Sequence, residues 1–445
     1  MQMRMRFNFI YLAAALLLAG EAAAHAQSPP SPDLPPGAPP TGPTAPPAAP
    51  PPPSDRAAPD TGGPVLELPA ERDMPQMALP RETAIENPLG NASAASATAI
   101  GGYGELTLNA PSIGPSVIDL RRLVLFVGHN FNEHLRFYSE LEVEHAVASS
   151  TDQGEFEVEQ AYLDGLFTRH FNLRGGLIIM PVGIINVYHE PPTFNGVDRP
   201  DVDTLVIPST WREAGVGVFG EITTGLSYQA YVVTSFNANN FTAESGIAEG
   251  HQEAQFAYAR DVGLVARLTY EPVLATIFGV SGYASTSGNT LRDTVGRVPL
   301  ALVEADARTR YHGFTARAEL AFLFIGDTAA LNQAFVTGTA EQMDAIAVAS
   351  QLRGGYVEVG YNLLHVAVPS TAQDLTLFFR YDYANTQAAV AAGFVANPAF
   401  VRYTQTVGLV YRPIPEIGLK LDYRRHEFGA GPSYNELAAA ITWMF

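Results

Sequence analysis

The sequence predicts an all-β chain: a transmembrane antiparallel β-barrel of about sixteen strands, with short periplasmic turns and long external loops. Three observations carry this. Apolar and polar residues alternate with period two through residues 100–445, the N-terminus reads as an export signal, and the last strand ends in an aromatic, Phe445.

The chain opens with Arg4 and Arg6, then the apolar run Phe9 to Ala19, then Ala24-His25-Ala26. A charged start, a short apolar centre and an A-x-A-like site form a signal peptide over residues 1–26, cleaved after Ala26. The apolar run is too short to span ~30 Å of hydrocarbon comfortably. Residues 27–99 follow as a Pro-rich periplasmic linker. They hold 20 of the 34 prolines and no aromatic residue, so they cannot bury enough apolar surface to offset the entropy of ordering. The expected state is disordered or polyproline-II-like, a plain tether or a cell-wall contact.

From Ile100 the composition changes, and a barrel domain is expected over residues 100–445. Leu135, Phe137, Leu141 and Val143 alternate with Arg136, Tyr138, Glu140, Glu142 and Glu144. Phe314, Ala316, Ala318, Leu320 and Phe322 alternate with Thr315, Arg317 and Glu319. Leu377, Phe379 and Tyr381 alternate with Phe378, Arg380 and Asp382; Leu419, Leu421 and Tyr423 alternate with Lys420, Asp422 and Arg424. That is strand periodicity, and helical spacing fits none of it. Strands are expected near 100–109, 117–128, 134–147, 154–167, 172–182, 211–222, 225–236, 260–271, 273–286, 298–309, 313–324, 350–363, 372–386, 400–412, 416–428 and 434–445. Both chain ends lie on the periplasmic side only if the count is even, which splits 298–324 at Tyr311-His312-Gly313. Short turns are expected at 130–133, 169–171, 223–224, Pro272, 310–312 and 412–416. Long loops are expected at 183–210, 237–259, 287–297, 325–349 and 387–399.

The last strand places Leu437, Ala439, Ile441, Trp443 and Phe445 on one face. A free apolar edge of this kind invites aggregation in a soluble protein; as the closing strand of a barrel it has a partner. This ending resembles the terminal strand read by the barrel-assembly machinery, which makes Trp443 and Phe445 a candidate assembly signal.

Composition removes other classes. There is no cysteine, hence no disulfide, thiolate metal site or lipidated N-terminal Cys. The formal charge is −19 without any basic stripe, which argues against nucleic acid as a partner. Mean hydropathy is +0.04, yet no 18-residue apolar run follows the signal. An alternating barrel gives that combination.

In lipid every backbone polar group must be paired internally, so a spanning sheet has to close. Sixteen strands enclose water, where eight would be filled by side chains. The inward, pore-lining candidates are Arg136, Glu140, Glu142, Glu144, Glu155, Glu157, Arg267, Arg317, Glu319, Arg380, Asp382, Arg402, Lys420, Asp422 and Arg424. Register at Arg121-Arg122 is ambiguous, and neither is assigned. From residue 100 onward 36 acidic and 21 basic residues give a net charge of −15, which leans towards cations.

Four segments carry a family resemblance: Glu157-Val158-Glu159-Gln160-Ala161-Tyr162-Leu163-Asp164, Gly176-Leu177-Ile178-Ile179-Met180-Pro181-Val182-Gly183, His189-Glu190-Pro191-Pro192-Thr193-Phe194-Asn195-Gly196-Val197-Asp198-Arg199-Pro200 and Ile207-Pro208-Ser209-Thr210-Trp211-Arg212-Glu213-Ala214-Gly215. Together they resemble the phosphate-selective porin O and P family, across roughly residues 100–445. The resemblance implies a sixteen-stranded outer-membrane barrel, usually a homotrimer, with one loop folded into the lumen. Residues 188–210, rich in Pro, Asn and Asp, suit a rigid functional connection. The expectation is that it narrows the pore, with Glu190, Asp198 and Arg199 near the eyelet; an outward cap or trimer-contact loop is the alternative. Phosphate selectivity in that family goes with a dense ladder of Arg and Lys. Here Lys420 is the only lysine, so the fold and channel role carry over and the phosphate specificity does not.

The expected function is therefore passive diffusion of ions and small polar solutes across the bacterial outer membrane, with outer-membrane lipid and the assembly machinery as partners and no cofactor. The rival is a structural or adhesive barrel tethered to the cell wall by the Pro-rich segment. No histidine sits in a hydrolase-type context, so no catalytic residues are expected. His129, His134 and His145 share one hairpin but read as interface or lumen histidines, so no metal site is expected either.

Overall fold

A computed structural model describes residues 97–148, 154–335 and 347–445. The expected signal peptide and almost all of the expected linker lie outside the described residues.

Sixteen strands form one closed antiparallel barrel: β1 (Ala97–Pro111), β2 (Val117–Asn130), β3 (Leu135–Glu144), β4 (Phe156–Leu166), β5 (Asn172–Ile179), β6 (Arg212–Thr223), β7 (Leu226–Thr234), β8 (Val262–Val273), β9 (Thr276–Thr286), β10 (Pro299–Tyr311), β11 (Phe314–Ile325), β12 (Gln351–Asn362), β13 (Asp374–Ala389), β14 (Val401–Ile414), β15 (Ile417–Phe428) and β16 (Tyr434–Met444). Each pairs with its neighbours in sequence, and β16 closes on β1 with Trp443 opposite Gly104. Among the described residues three short helices lie in connections: α1 (Val202–Leu205), α2 (Thr328–Phe335) and α3 (Leu364–Ala367). No helix among the described residues is long and apolar enough to cross a membrane.

Strand count and pairing agree with the alternation in the sequence, and two connections differ. Pro272 is not a turn. It lies inside β8, where a register irregularity between Tyr270 and Val273 absorbs the missing N–H, and the turn follows at Leu274-Ala275 with Ala275 at φ +61°. The β12–β13 connection, on the short-turn end, is lengthened by α3.

The outer face is apolar. On β8 Leu264 and Leu268 are exposed while Val265 and Arg267 are buried inside; Phe278 and Val280 on β9, Leu377 and Phe379 on β13, and Leu419 and Leu421 on β15 repeat the pattern. An exposed apolar face of this extent matches hydrocarbon rather than water.

The interior departs from a uniformly charged wall. Val265, Leu300, Leu302, Leu323, Ile325 and Leu352 point inward at the long-loop end of β8 and β10–β12 and form an apolar core inside the barrel. They pack on Ile184, Ile185, Val202, Val206, Ile207 and Trp211 of the β5–β6 loop, and on Phe236 and Phe241 of the β7–β8 loop. Trp211 stands 4.9 Å from Phe236 and 4.8 Å from Tyr283, ring to ring. The sequence hint is local: in Leu300-Ala301-Leu302-Val303 and Leu320-Ala321-Phe322-Leu323-Phe324-Ile325 both faces are apolar, because one meets the exterior and the other meets the loop.

Candidate functional site

Residues 180–211, between β5 and β6, run inside the barrel. The turn into the loop needs a glycine. Gly183 has φ +81°, and a Cβ there would stand 2.6 Å from Glu319 Oε1 and 3.0 Å from Asp203 Oδ1. Backbone and wall then lock together. Ile184 N–H donates to Glu319 (3.1 Å), Val197 N–H to Asp422 (2.7 Å) and Asp201 N–H to Asp382 (3.2 Å). From the wall, Arg317 donates to Thr193 O (2.6 Å), Arg380 to Asp198 O (3.2 Å), and Arg412 to Asn195 Oδ1 (3.1 Å). Lys420 donates to the carbonyls of Pro191 (2.7 Å) and Gly196 (2.8 Å), with its ammonium 4.0 Å from the Phe194 ring centre. Pro191 and Pro192 open a buried 3-10 turn, and their carbonyls accept from Lys420 and Arg412.

The strongest lock is Asp198. Its carboxylate accepts from Arg121 (2.5 Å), from Arg424 and from Asn109 (3.3 Å). Burial alone would raise its pKa, but the guanidiniums of Arg424 and Arg121 hold it well below the usual carboxylate range. Arg199 donates to Thr210 Oγ1 (2.9 Å). Burial, then the neighbouring Arg122, brings it down to about 10, so it keeps its charge at neutral pH.

The loop covers much of the wall expected to line the pore. Arg317 is half-buried beneath it, and Glu319, Arg380, Asp382, Lys420 and Asp422 are buried there. Arg267 is buried against Glu304 (3.3 Å) and Asp306 (2.6 Å). Arg136 pairs with Asp164 (3.2 Å), and Arg402 reaches Glu244 of the β7–β8 loop at 3.8 Å. His129, His134 and His145 do not converge: they meet Thr98, the Leu166 carbonyl and Asp119.

What the loop leaves open is a cavity of about 550 Å³. Carboxylates reach it from β3–β4 and the β7–β8 loop (Glu142, Glu144, Glu155, Glu157, Glu253), guanidiniums from β2, β13 and β15 (Arg121, Arg122, Arg380, Arg424). In all, nine carboxylates and six guanidiniums line it. Asp198 and Arg199 line it as well. Glu190 does not; its Oε2 is buried elsewhere, without a partner.

Two β-bulges create features that alternation could not show. Glu105 faces Arg122 while Leu106 faces Leu120, so Arg121 is the extra residue of β2. Both arginines therefore point inward, Arg121 to Asp198 and Arg122 to Glu105 (3.1 Å) and Glu142 (3.7 Å). On β4 the extra residue is Glu159: Glu140 faces Gln160 and Leu141 faces Val158. A period-two reading has no place for such an insertion.

No protein-family model matches the chain. It is 34% identical over 351 residues to an uncharacterised protein of Aquifex aeolicus (strain VF5), covering 78% of this chain and 79% of that protein. The two belong to one family. By structure, this chain's barrel resembles OmpF of Salmonella typhi (TM-score 0.53, 14% identity, covering 78% of this chain and 97% of that one). It also resembles the outer membrane channel DcaP of Acinetobacter baumannii (TM-score 0.52, 11% identity, 79% and 97%). A loop-deletion variant of OmpT, an outer membrane protein of Vibrio cholerae, gives a TM-score of 0.50 at 10% identity, over 79% of this chain and 100% of that one. The fold is thus that of outer-membrane porins.

Proposed function

We propose that the chain is a porin of the bacterial outer membrane, passing ions and small polar solutes by passive diffusion. The observation that carries this reading is the charged cavity left between the inward loop and the wall formed by β1–β4, β6 and β13–β16. Charged side chains around a narrow aqueous path select by their fields and need no binding cycle. On this reading the β5–β6 loop is the constriction, and the inward charged residues named above line the pore or brace the loop. Nine carboxylates against six guanidiniums favour cations mildly.

Phosphate is not the proposed solute. The single lysine is buried and committed to two loop carbonyls, and Arg317, Arg380 and Arg412 spend donors on the loop backbone. A homotrimer, and Trp443 with Phe445 as the assembly signal, complete the proposal.

The test is single-channel recording of purified mature protein in planar bilayers. Stepwise conductance, open at rest, is expected. A silent bilayer with insertion confirmed by protease protection would overturn the channel reading in favour of a structural barrel.

A further inference from the structure

His189 lies within the barrel beside two carboxylates, and neither of its ring nitrogens has a hydrogen-bond partner. The side chain is 2% exposed; those of Glu140 and Glu159 are 3% and 0% exposed. His189 Nε2 stands 3.6 Å from Glu140 Oε2 and 3.9 Å from Glu159 Oε1. One donor atom from each of the three residues lies within 4.8 Å of the others. Glu159 Oε1 is also without a partner.

These separations are too long for hydrogen bonds, which end at about 3.5 Å. They suit ligands of one ion. Two donors each about 2.1 Å from a metal, roughly 110–140° apart, stand about 3.4–3.9 Å from each other. Outer-sphere groups are in place too. Tyr103 Oη donates to Glu159 Oε2 (3.1 Å), Tyr138 Oη to Glu140 Oε1 (2.5 Å) and Gln160 Nε2 to Glu140 Oε2 (2.9 Å). Such contacts orient ligating carboxylates and leave the remaining lone pairs for an ion. Of the cations on this wall, Arg122 is committed to Glu105 and Glu142, Arg136 to Asp164 and Arg121 to Asp198.

We propose that Glu140, Glu159 and His189 form a binding site for a first-row divalent metal ion, and that this ion ties the start of the constriction loop to the β3–β4 wall. One imidazole with two carboxylates suits Zn²⁺ or Mn²⁺; an imidazole is a poor ligand for Ca²⁺ or Mg²⁺. Three features converge to build the site. The bulge on β4 adds Glu159 opposite Glu140, the inward loop brings His189, and β1 supplies Tyr103. The site does not depend on the channel reading, since a silent barrel could carry the same ion.

The experiment is metal loading of the full mature protein in detergent. The protein is stripped with chelator, loaded with Zn²⁺ or Mn²⁺, desalted and assayed by elemental analysis, with heat-modifiable migration confirming a closed barrel. One tightly held ion per chain is expected. Glu159→Gln or His189→Asn should weaken it by roughly 100-fold or more, while His134→Asn at the turn should not. Absence of ion from the loaded wild type, or equal retention by the His189 and Glu159 variants, would overturn the proposal. If those variants fail to close, anomalous scattering at the Zn edge from loaded wild-type crystals decides it: a peak among the three side chains supports the site, and none there refutes it.

Discussion

Asp198, midway along the inward loop, is paired with Arg424, which projects from β15, 226 residues further along the sequence. The pair fixes the loop's position across the lumen, and Arg121 joins it from β2. Asp198→Ala takes a shared anion from two guanidiniums, leaving Arg424 with Asp422 (3.2 Å) and Glu436 (3.4 Å) and Arg121 with Asn109 (3.2 Å). Breaking a fully buried pair costs about 3–5 kcal/mol; Asp198 keeps 30% of its side chain exposed, so a loss of roughly 2–3 kcal/mol is expected. Unfolding by denaturant in detergent measures the loss, and bilayer recording should show larger, noisier conductance steps. Unchanged stability and conductance would mean the loop is held by its other contacts alone.

The same carboxylate should be insensitive to mild acid. Its pKa is depressed, so its contribution is present above the ordinary carboxylate range and is lost only as pH falls through the lower folded value. Conductance titrated from neutral to moderately acidic pH should show no step that Asp198→Asn removes. Such a step would show that Arg424 and Arg121 do not hold the charge.

Asp203, on α1, behaves in the opposite sense. Burial raises it to about 8, with Asp306 and Asp382 adding to the effect against the pull of Arg199. Both its oxygens are buried without hydrogen-bond partners, and Glu319 lies beside the same turn. A raised carboxyl pKa stabilises the packed loop most at low pH, and that stability declines as pH rises to the folded value. Conductance should therefore rise as pH climbs from the ordinary carboxylate range towards about 8, and level off above it. Asp203→Asn should abolish that rise, and a profile identical in both proteins would assign it to another group.

Gly183→Ala tests the turn into the loop. The left-handed conformation costs a residue with a Cβ about 1–2 kcal/mol, and the new Cβ would press on Glu319 Oε1. A lower thermal midpoint with an intact barrel is expected. A midpoint equal to wild type would show that the turn relaxes freely.

Charge preference can be moved from one wall. Glu142, Glu144 and Glu157 reach the cavity from β3 and β4. Replacing all three by Gln leaves the six guanidiniums facing six carboxylates, and reversal potentials in a salt gradient should shift towards anions. No shift would place the selective constriction elsewhere.

Alternation in the sequence, together with the even count that placing both chain ends in the periplasm requires, was enough to determine the sixteen strands, their order and which face meets lipid. Side-chain direction repeats every two residues, and a closed sheet leaves each residue one of two faces. Phe379 and Arg380 were separable on that ground alone. Only the tertiary structure decided which inward residues stay beside open space. Arg121 and Glu159 entered the lumen through single-residue bulges, which shift the parity that a periodic reading assumes. Lys420 and Arg380 became braces rather than open wall because a loop more than two hundred residues earlier in the chain, or nearly so, lies over them. His189 meets Glu140 for the same reason. Such meetings depend on long-range closure, and no local pattern records which parts of a chain the closed sheet will bring together.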